Sequence, residues 1–214
     1  MTGEDRPRGV SISPRAMTDS VADWPLHRVV EHLKKKEHDD KDYCQDCRVY
    51  SRSSIRFLNP ILGELASEFD VSVGKITRFL SYHGLSIFRE DATVSSLRVS
   101  YGLLRRRSLQ SNDPDMAAII DSPIPYSPAD ICDDRASYRV YLWVHSDVEE
   151  MSQICGMFIG RVVQLAIVRS VLTCDLPILE SVRERLSTES DRWDRWMKYR
   201  LGQMDMAVAI WGTV

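Results

Sequence analysis

The clearest pattern of polar and apolar positions begins at residue 54. Residues 54–58 alternate between polar and apolar, which predicts a half-buried strand. Asn59 and Pro60 should end that strand, because asparagine is a good helix N-cap and proline suits the first helical position. Apolar residues at helical spacing then predict an amphipathic helix over residues 61–69. Ser72 is a natural N-cap for a second helix, whose apolar face extends to residue 87.

The same order of elements recurs about 85 residues later. Residues 138–144 alternate and are rich in β-branched and aromatic side chains, which predicts a second strand. Ser146 and Glu149 have the spacing of a capping box, and apolar residues over 148–158 predict the helix that follows it. Ile159 and Gly160 mark a break. Residues 161–172 are apolar on nearly every face, so we expect that helix to be buried.

The remaining segments surround these two units. We divide the chain into a disordered tail (1–20), an N-terminal helix with a cysteine pair (21–52), the first unit (53–90), a helical insert with a proline-rich linker (91–137), the second unit (138–174) and C-terminal helices (175–214). Within the insert, helices are predicted over 96–110 and 113–120. Within the C-terminal segment, they are predicted over 176–186 and 189–201.

A strand followed by a helix pair cannot close a core alone, because its edges stay unpaired and its apolar face stays exposed. Two copies solve this problem if their strands pair antiparallel and their four helices pack beneath. We therefore expect a mainly α fold around a short two-stranded antiparallel β-ribbon, with C-terminal helices added. The units would pair either within one chain, as a pseudo-dimer, or between the chains of a homodimer.

Both units resemble the ribbon–helix–helix family of DNA-binding proteins. The resemblance covers residues 53–88 and 138–173, and rests on Ile55, Phe57, the Asn59–Pro60 stop and the break before Ser72, and in the second unit on Val140, Leu142 and Ser146. It implies tandem ribbon–helix–helix units in one chain.

In that family the paired strands enter the major groove and their outward side chains contact base edges. The resemblance therefore implies base contacts from Ser54 and Arg56 in the first strand, and from Arg139 and Tyr141 in the second. Arg56 is the strongest of these candidates, since a guanidinium can bond guanine at two acceptors.

The family also holds a DNA phosphate at the start of its second helix, where free N–H groups and the helix dipole favour an anion. The resemblance places Ser72, Gly74 and Lys75 at that position in the first unit. Arg161 is the equivalent residue in the second unit, where the serine is missing.

Composition changes this picture only modestly. The net charge is −3 and the pI is near 6.0, so we expect a small, local DNA-contacting surface rather than a basic protein. The five cysteines are scattered and odd in number, which favours a reducing compartment over a disulfide framework. No apolar run is long enough to span a membrane, and residues 1–14 lack the apolar core of a secretory signal, so we expect a cytoplasmic protein.

Cys44 and Cys47 have the spacing of half a zinc site. His38 and His32 precede them and would complete a set of two histidines and two cysteines, giving a structural zinc. The alternative is a pair of reduced, partly exposed thiols.

The sequence offers little support for catalysis, because it has no Gly-rich phosphate loop, nucleophile elbow or His–Glu pair at metalloprotease spacing. We therefore expect a non-enzymatic, sequence-specific regulator of transcription, or of plasmid or viral replication, that binds double-stranded DNA. The alternative is an interaction protein, antitoxin-like or an assembly factor, that uses the same fold for dimerisation. Such a protein would bind a protein partner through its C-terminal helices.

Overall fold

A computed structural model describes residues 28, 31, 47–53, 58–122, 136–174, 176 and 178–211, with backbone alone described over 47–53 and 136–145. The helices are α1 (Leu58–Glu68), α2 (Val73–Glu90), α3 (Ala92–Ser111), α4 (Pro114–Asp121), α5 (Leu142–Cys155), α6 (Ile159–Thr173) and α7 (Glu180–Trp211). Two short strands, β1 (Cys47–Ser53) and β2 (Ala136–Tyr141), pair antiparallel with Cys47 opposite Tyr141.

Two helical hairpins, α1–α2 and α5–α6, turn at residues with left-handed backbone. Asp70 follows α1 with φ 53°, and Gly156 follows α5 with φ 64°. The Val71 amide donates to the Ala66 carbonyl at 2.9 Å, and the Met157 amide makes the same bond after α5. These are Schellman turns, which satisfy carbonyl groups that a helix end would otherwise leave unpaired. Only the second turn uses glycine, the residue that adopts this backbone without strain.

The core is built on α2 and α6, which approach each other closely. A Cβ atom added to Gly84 in α2 would lie 1.8 Å from the carbonyl oxygen of Ala166 in α6, so this approach requires glycine. As predicted from its pattern, α6 is buried on nearly every face; its core residues are Val162, Val163, Leu165, Ala166, Ile167, Val168 and Val171. The two hairpins therefore share one hydrophobic core.

The long C-terminal helix α7 packs against α3 and α6. Trp193 of α7 stacks on Phe88 of α2 with ring centroids 4.6 Å apart. The sequence predicted two helices here, over 176–186 and 189–201, and that division is wrong. Ser187 and Thr188 lie between them and neither is a proline or glycine, so nothing interrupts the helical hydrogen bonds.

Arg200 of α7 ties two helix ends to the core. Its fully buried guanidinium donates to the carbonyls of Ile120 at 2.6 Å, Ser122 at 3.1 Å and Ile119 at 3.2 Å at the end of α4. It also reaches the Ile154 carbonyl, in the last turn of α5, at 3.5 Å. Carbonyl groups at a helix end lack the usual intrahelical donors, and the negative helix end favours a cation there. The Ile119 carbonyl also accepts a hydrogen bond from the Ser122 amide at 3.3 Å.

The predicted fold class is wrong in its ribbon. From residue 58 onward, the residues whose side chains are described lie in seven helices and their connections, and in no strand. Leu58, predicted to end the first strand, is fully buried as the first residue of α1. The reason is periodicity: Leu58, Ile61, Leu62 and Leu65 follow helical spacing, and Pro60 is tolerated in a first helical turn.

The second predicted strand and its capping box are also misplaced. Residues 142–144 belong to α5, and Ser146 lies inside that helix rather than at its start. The observed strand pair shares only residues 138–141 with the predicted one, because β1 ends at Ser53 and residues 54–57 lie outside the described part. The tandem ribbon–helix–helix arrangement is therefore not what the structure describes, although its mainly helical character is consistent with the prediction.

Among the described helices, no single one is long and apolar enough to cross a membrane. The segments Ser146–Cys155 and Ile159–Thr173 meet that criterion only when taken together, and the chain bends by 101° between them.

Candidate anion site at the start of helix α2

The start of α2 is defined by a serine cap, as the sequence predicted. Ser72 has extended backbone, and its hydroxyl accepts a hydrogen bond from the Lys75 amide at 3.2 Å. The Lys75 and Ile76 amides also approach the Ser72 carbonyl, at 3.0 and 3.1 Å. Val73 and Gly74 come before Lys75 in the first turn of the helix, and both residues are exposed. This end of the helix therefore presents N–H groups and a positive dipole to solvent.

Lys75 adds a positive charge in an unusual environment. The residue is only 6% exposed, yet among the described residues its Nζ has neither a hydrogen-bond partner nor a carboxylate within ion-pair distance. The first turn of α2 contains no acidic residue. A buried ammonium without a partner costs several kcal/mol in desolvation, on the order of what a bound anion would recover.

Arg78 lies one turn further along α2 and is 9% exposed. Its Nη1 lies 3.5 Å from the position that a Cβ atom on Gly74 would occupy, so the guanidinium lies beside the first turn. The same short segment thus combines exposed amides with two buried cationic side chains, a combination suited to a phosphate or carboxylate.

The start of α6, predicted to be the equivalent phosphate position, is built differently. Arg161 forms an ion pair with Glu189 at 2.7 Å, and its Nη1 donates to Gln164 at 2.7 Å. Its guanidinium also lies 5.5 Å from the ring centroid of Trp196. Phe158 caps α6 without a side-chain hydrogen bond. Arg161 is therefore engaged in joining α6 to α7, whereas Lys75 has no such partner.

The predicted base-contacting and metal-binding residues lie largely beyond these helices. Ser54, Arg56, His32, His38 and Cys44 are outside the described residues, so those predictions stay predictions. Arg139 and Tyr141 belong to β2, and Cys47 begins β1, but their side chains are not described. Within the described part of the chain, no group of three or more potential metal ligands comes together.

One buried polar cluster lies between α2 and α6. The His83 Nδ1 is 2.8 Å from the Ser170 hydroxyl, and the Cys174 sulfur lies 3.6 Å from the same nitrogen. Burial raises the pKa of Cys174 to about 11, and the Ser170 hydrogen bond opposes part of that shift. Burial also raises the pKa of Cys155. Both thiols are therefore protonated near neutral pH and poorly nucleophilic, and they and His83 are buried in the core.

Sequence reasoning placed Lys75 at a phosphate position but could not show that its ammonium is buried without a partner. It missed Arg200 as the residue that satisfies two helix ends, because the carbonyls it contacts are 46 to 81 residues away in the chain. Comparison with other proteins adds no further evidence: no protein-family model matches the sequence, and no curated protein or solved structure matches it. The resemblance to the ribbon–helix–helix family stays a prediction.

Proposed function

We propose that this protein is a non-enzymatic cytoplasmic regulator that binds double-stranded DNA and holds a backbone phosphate at the start of α2. The observation that carries the proposal is the buried Lys75 ammonium, which has no hydrogen-bond partner in the described part of the chain and belongs to the same helical turn as the exposed residues Val73 and Gly74. A phosphate diester would accept bonds from those amides and neutralise the ammonium.

A phosphate contact positions DNA without identifying its sequence, so base contacts must come from elsewhere. Arg139 and Tyr141 remain candidates for them, because they belong to β2, a strand that contacts α2. Ser54 and Arg56 remain candidates from the sequence alone. The net charge of −3 fits a mode of binding that depends on a few local contacts rather than on a basic surface.

Salt dependence of DNA binding tests the phosphate contact. Affinity for a fluorescently labelled duplex would be measured by anisotropy over a range of KCl concentrations. We expect Lys75→Met to weaken binding about tenfold and to reduce the slope of log affinity against log salt by about 1. Lys198→Met is the matched control, because Lys198 is exposed on α7 and belongs to no proposed site.

Folding stability separates this role from a structural one. Since the Lys75 ammonium has no partner, Lys75→Met should leave the free energy of unfolding unchanged or raise it. Loss of DNA binding together with lost stability would indicate a structural lysine instead. The proposal fails if wild-type protein binds no duplex at low salt, or if Lys75→Met and Lys198→Met behave alike.

A second candidate function is the predicted interaction protein that binds a partner through its C-terminal helix. Tyr199, Met206 and Ile210 of α7 are all more than half exposed, and their spacing places them on one face of the helix. An apolar stripe of this kind is suited to a partner helix. Such binding would change little with salt and would be lost in Met206→Glu, whereas DNA binding would be retained.

A further inference from the structure

A cavity of about 500 Å³ lies on the opposite hairpin from the proposed phosphate site, between α3, α4 and the α5–α6 turn. This volume is within the range of small-molecule sites. Its walls include the buried side chains of Tyr101, Ile120 and Met157. Leu109 and Phe158 also line it and are 77% and 73% exposed, so the cavity has an apolar floor and an apolar margin open to solvent.

Arg105 is the one cationic residue among the described lining residues. Its Nη1 donates to the Tyr101 hydroxyl at 3.0 Å and to the Gln153 side-chain oxygen at 2.8 Å. The two acceptors lie on different helices, α3 and α5, and together they hold the guanidinium in a fixed orientation. They occupy only one nitrogen, so Nη2 and Nε keep donors with the planar geometry that matches a carboxylate.

The local charge also favours an anion. Asp121 is the only acidic residue that the structure places in the lining. It interacts electrostatically with the buried Arg200, whose pKa is lowered by burial and raised in part by Cys155, Tyr101 and Asp121. Asp121 thus faces a cation outside the lining, and Arg105 is the cation that the described lining offers a ligand.

The geometry points to a binding site for a small carboxylate with an apolar body, in which Arg105 holds the carboxylate and the apolar walls bury the rest. Small-molecule sites combine mostly apolar walls with a few placed polar groups in this way. The site is separate from the start of α2 and does not depend on DNA binding. It would make this protein responsive to an amphipathic carboxylic acid.

Octanoate is a suitable probe, with 1-octanol as its neutral counterpart. Amide chemical shifts of the full ¹⁵N-labelled chain would be followed during titration with each probe. We expect octanoate to shift residues of α3, α4 and the α5–α6 turn, and 1-octanol to bind more weakly. Arg105→Gln should weaken octanoate binding about tenfold and leave 1-octanol unchanged, since only the charge-assisted bonds are lost.

Two further variants locate the site. Arg106→Gln removes a neighbouring exposed arginine that does not line the cavity, and should not affect octanoate binding. Ala117→Trp fills the cavity from α4 and should abolish binding of both probes. The proposal is overturned if octanoate causes no shifts up to about 1 mM, or if the shifts map elsewhere. It is also overturned if 1-octanol binds equally well, or if Arg105→Gln and Arg106→Gln have the same effect.

Discussion

Replacing Gly84 with alanine tests the helix crossing on which the core depends. The added Cβ would lie 1.8 Å from the Ala166 carbonyl oxygen, 2.3 Å from its carbonyl carbon and 2.6 Å from its Cα. Ordinary contact begins near 3.4 Å, so α2 and α6 would have to separate by about 1.6 Å at this point. Overpacking of this kind costs about 3 kcal/mol when rigid backbone must move. Alanine recovers about 1 kcal/mol through its higher helix propensity, so we expect a net loss of about 2 kcal/mol.

Urea denaturation followed by circular dichroism would measure this loss. With an m-value of about 2 kcal/mol/M, the midpoint should fall by about 1 M. Gly102→Ala in α3 and Gly202→Ala in α7 are matched controls, because nothing lies within 4 Å of a Cβ atom at either position. Each control should raise the free energy of unfolding by about 0.5–1 kcal/mol through helix propensity alone.

The free energy of unfolding should therefore fall in Gly84→Ala and rise in Gly102→Ala and Gly202→Ala. If Gly84→Ala is as stable as wild type, or more stable, α2 and α6 are not packed as closely as described. A second test is the double variant Gly84→Ala, Ala166→Gly. It should not restore stability, because the atoms that clash belong to the backbone of Ala166 and survive the second substitution.

Three other predictions concern single residues. Arg200→Met should lower the free energy of unfolding by about 3 kcal/mol in urea denaturation, because it leaves buried helix-end carbonyls without donors. A loss under about 1 kcal/mol would show that water molecules replace the guanidinium as donors to these carbonyls. Asp70→Gly should raise the free energy of unfolding, measured by thermal denaturation, by about 1 kcal/mol, because glycine adopts the left-handed backbone without strain. A decrease would mean that the aspartate side chain has a stabilising contact. Finally, burial raises the pKa of Cys174 from 9.0 to about 11. The stability that arises from this protonated thiol is therefore complete below pH 9.0 and is lost as the pH rises toward 11. In Cys174→Ala, the free energy of unfolding should fall less at alkaline pH than it does in the wild type. If its pH dependence is the same as in the wild type, the raised pKa of Cys174 is contradicted.

Several helical features could be predicted from local sequence. The Ser72 cap, the helices over 96–110 and 113–120, and the burial of α6 depend on residues close together in the chain, and the structure confirms them. The same logic failed at Leu58 and at residues 142–144, which are helical. A short run of five to seven residues fits both a strand and a helical period, and only its packing partners choose between them.

Local sequence establishes where charge and a helix end coincide, since Ser72, Gly74 and Lys75 lie within four residues and a serine cap orients the first turn. Which of these charges are satisfied depends on tertiary contacts. Arg161 forms an ion pair with Glu189, 28 residues away, and Arg200 donates to carbonyls of two other helices, while Lys75 is buried with no hydrogen-bond partner among the described residues. Burial and pairing arise when distant segments pack together, and the free energy of a buried charge depends on those neighbours rather than on its position in the chain.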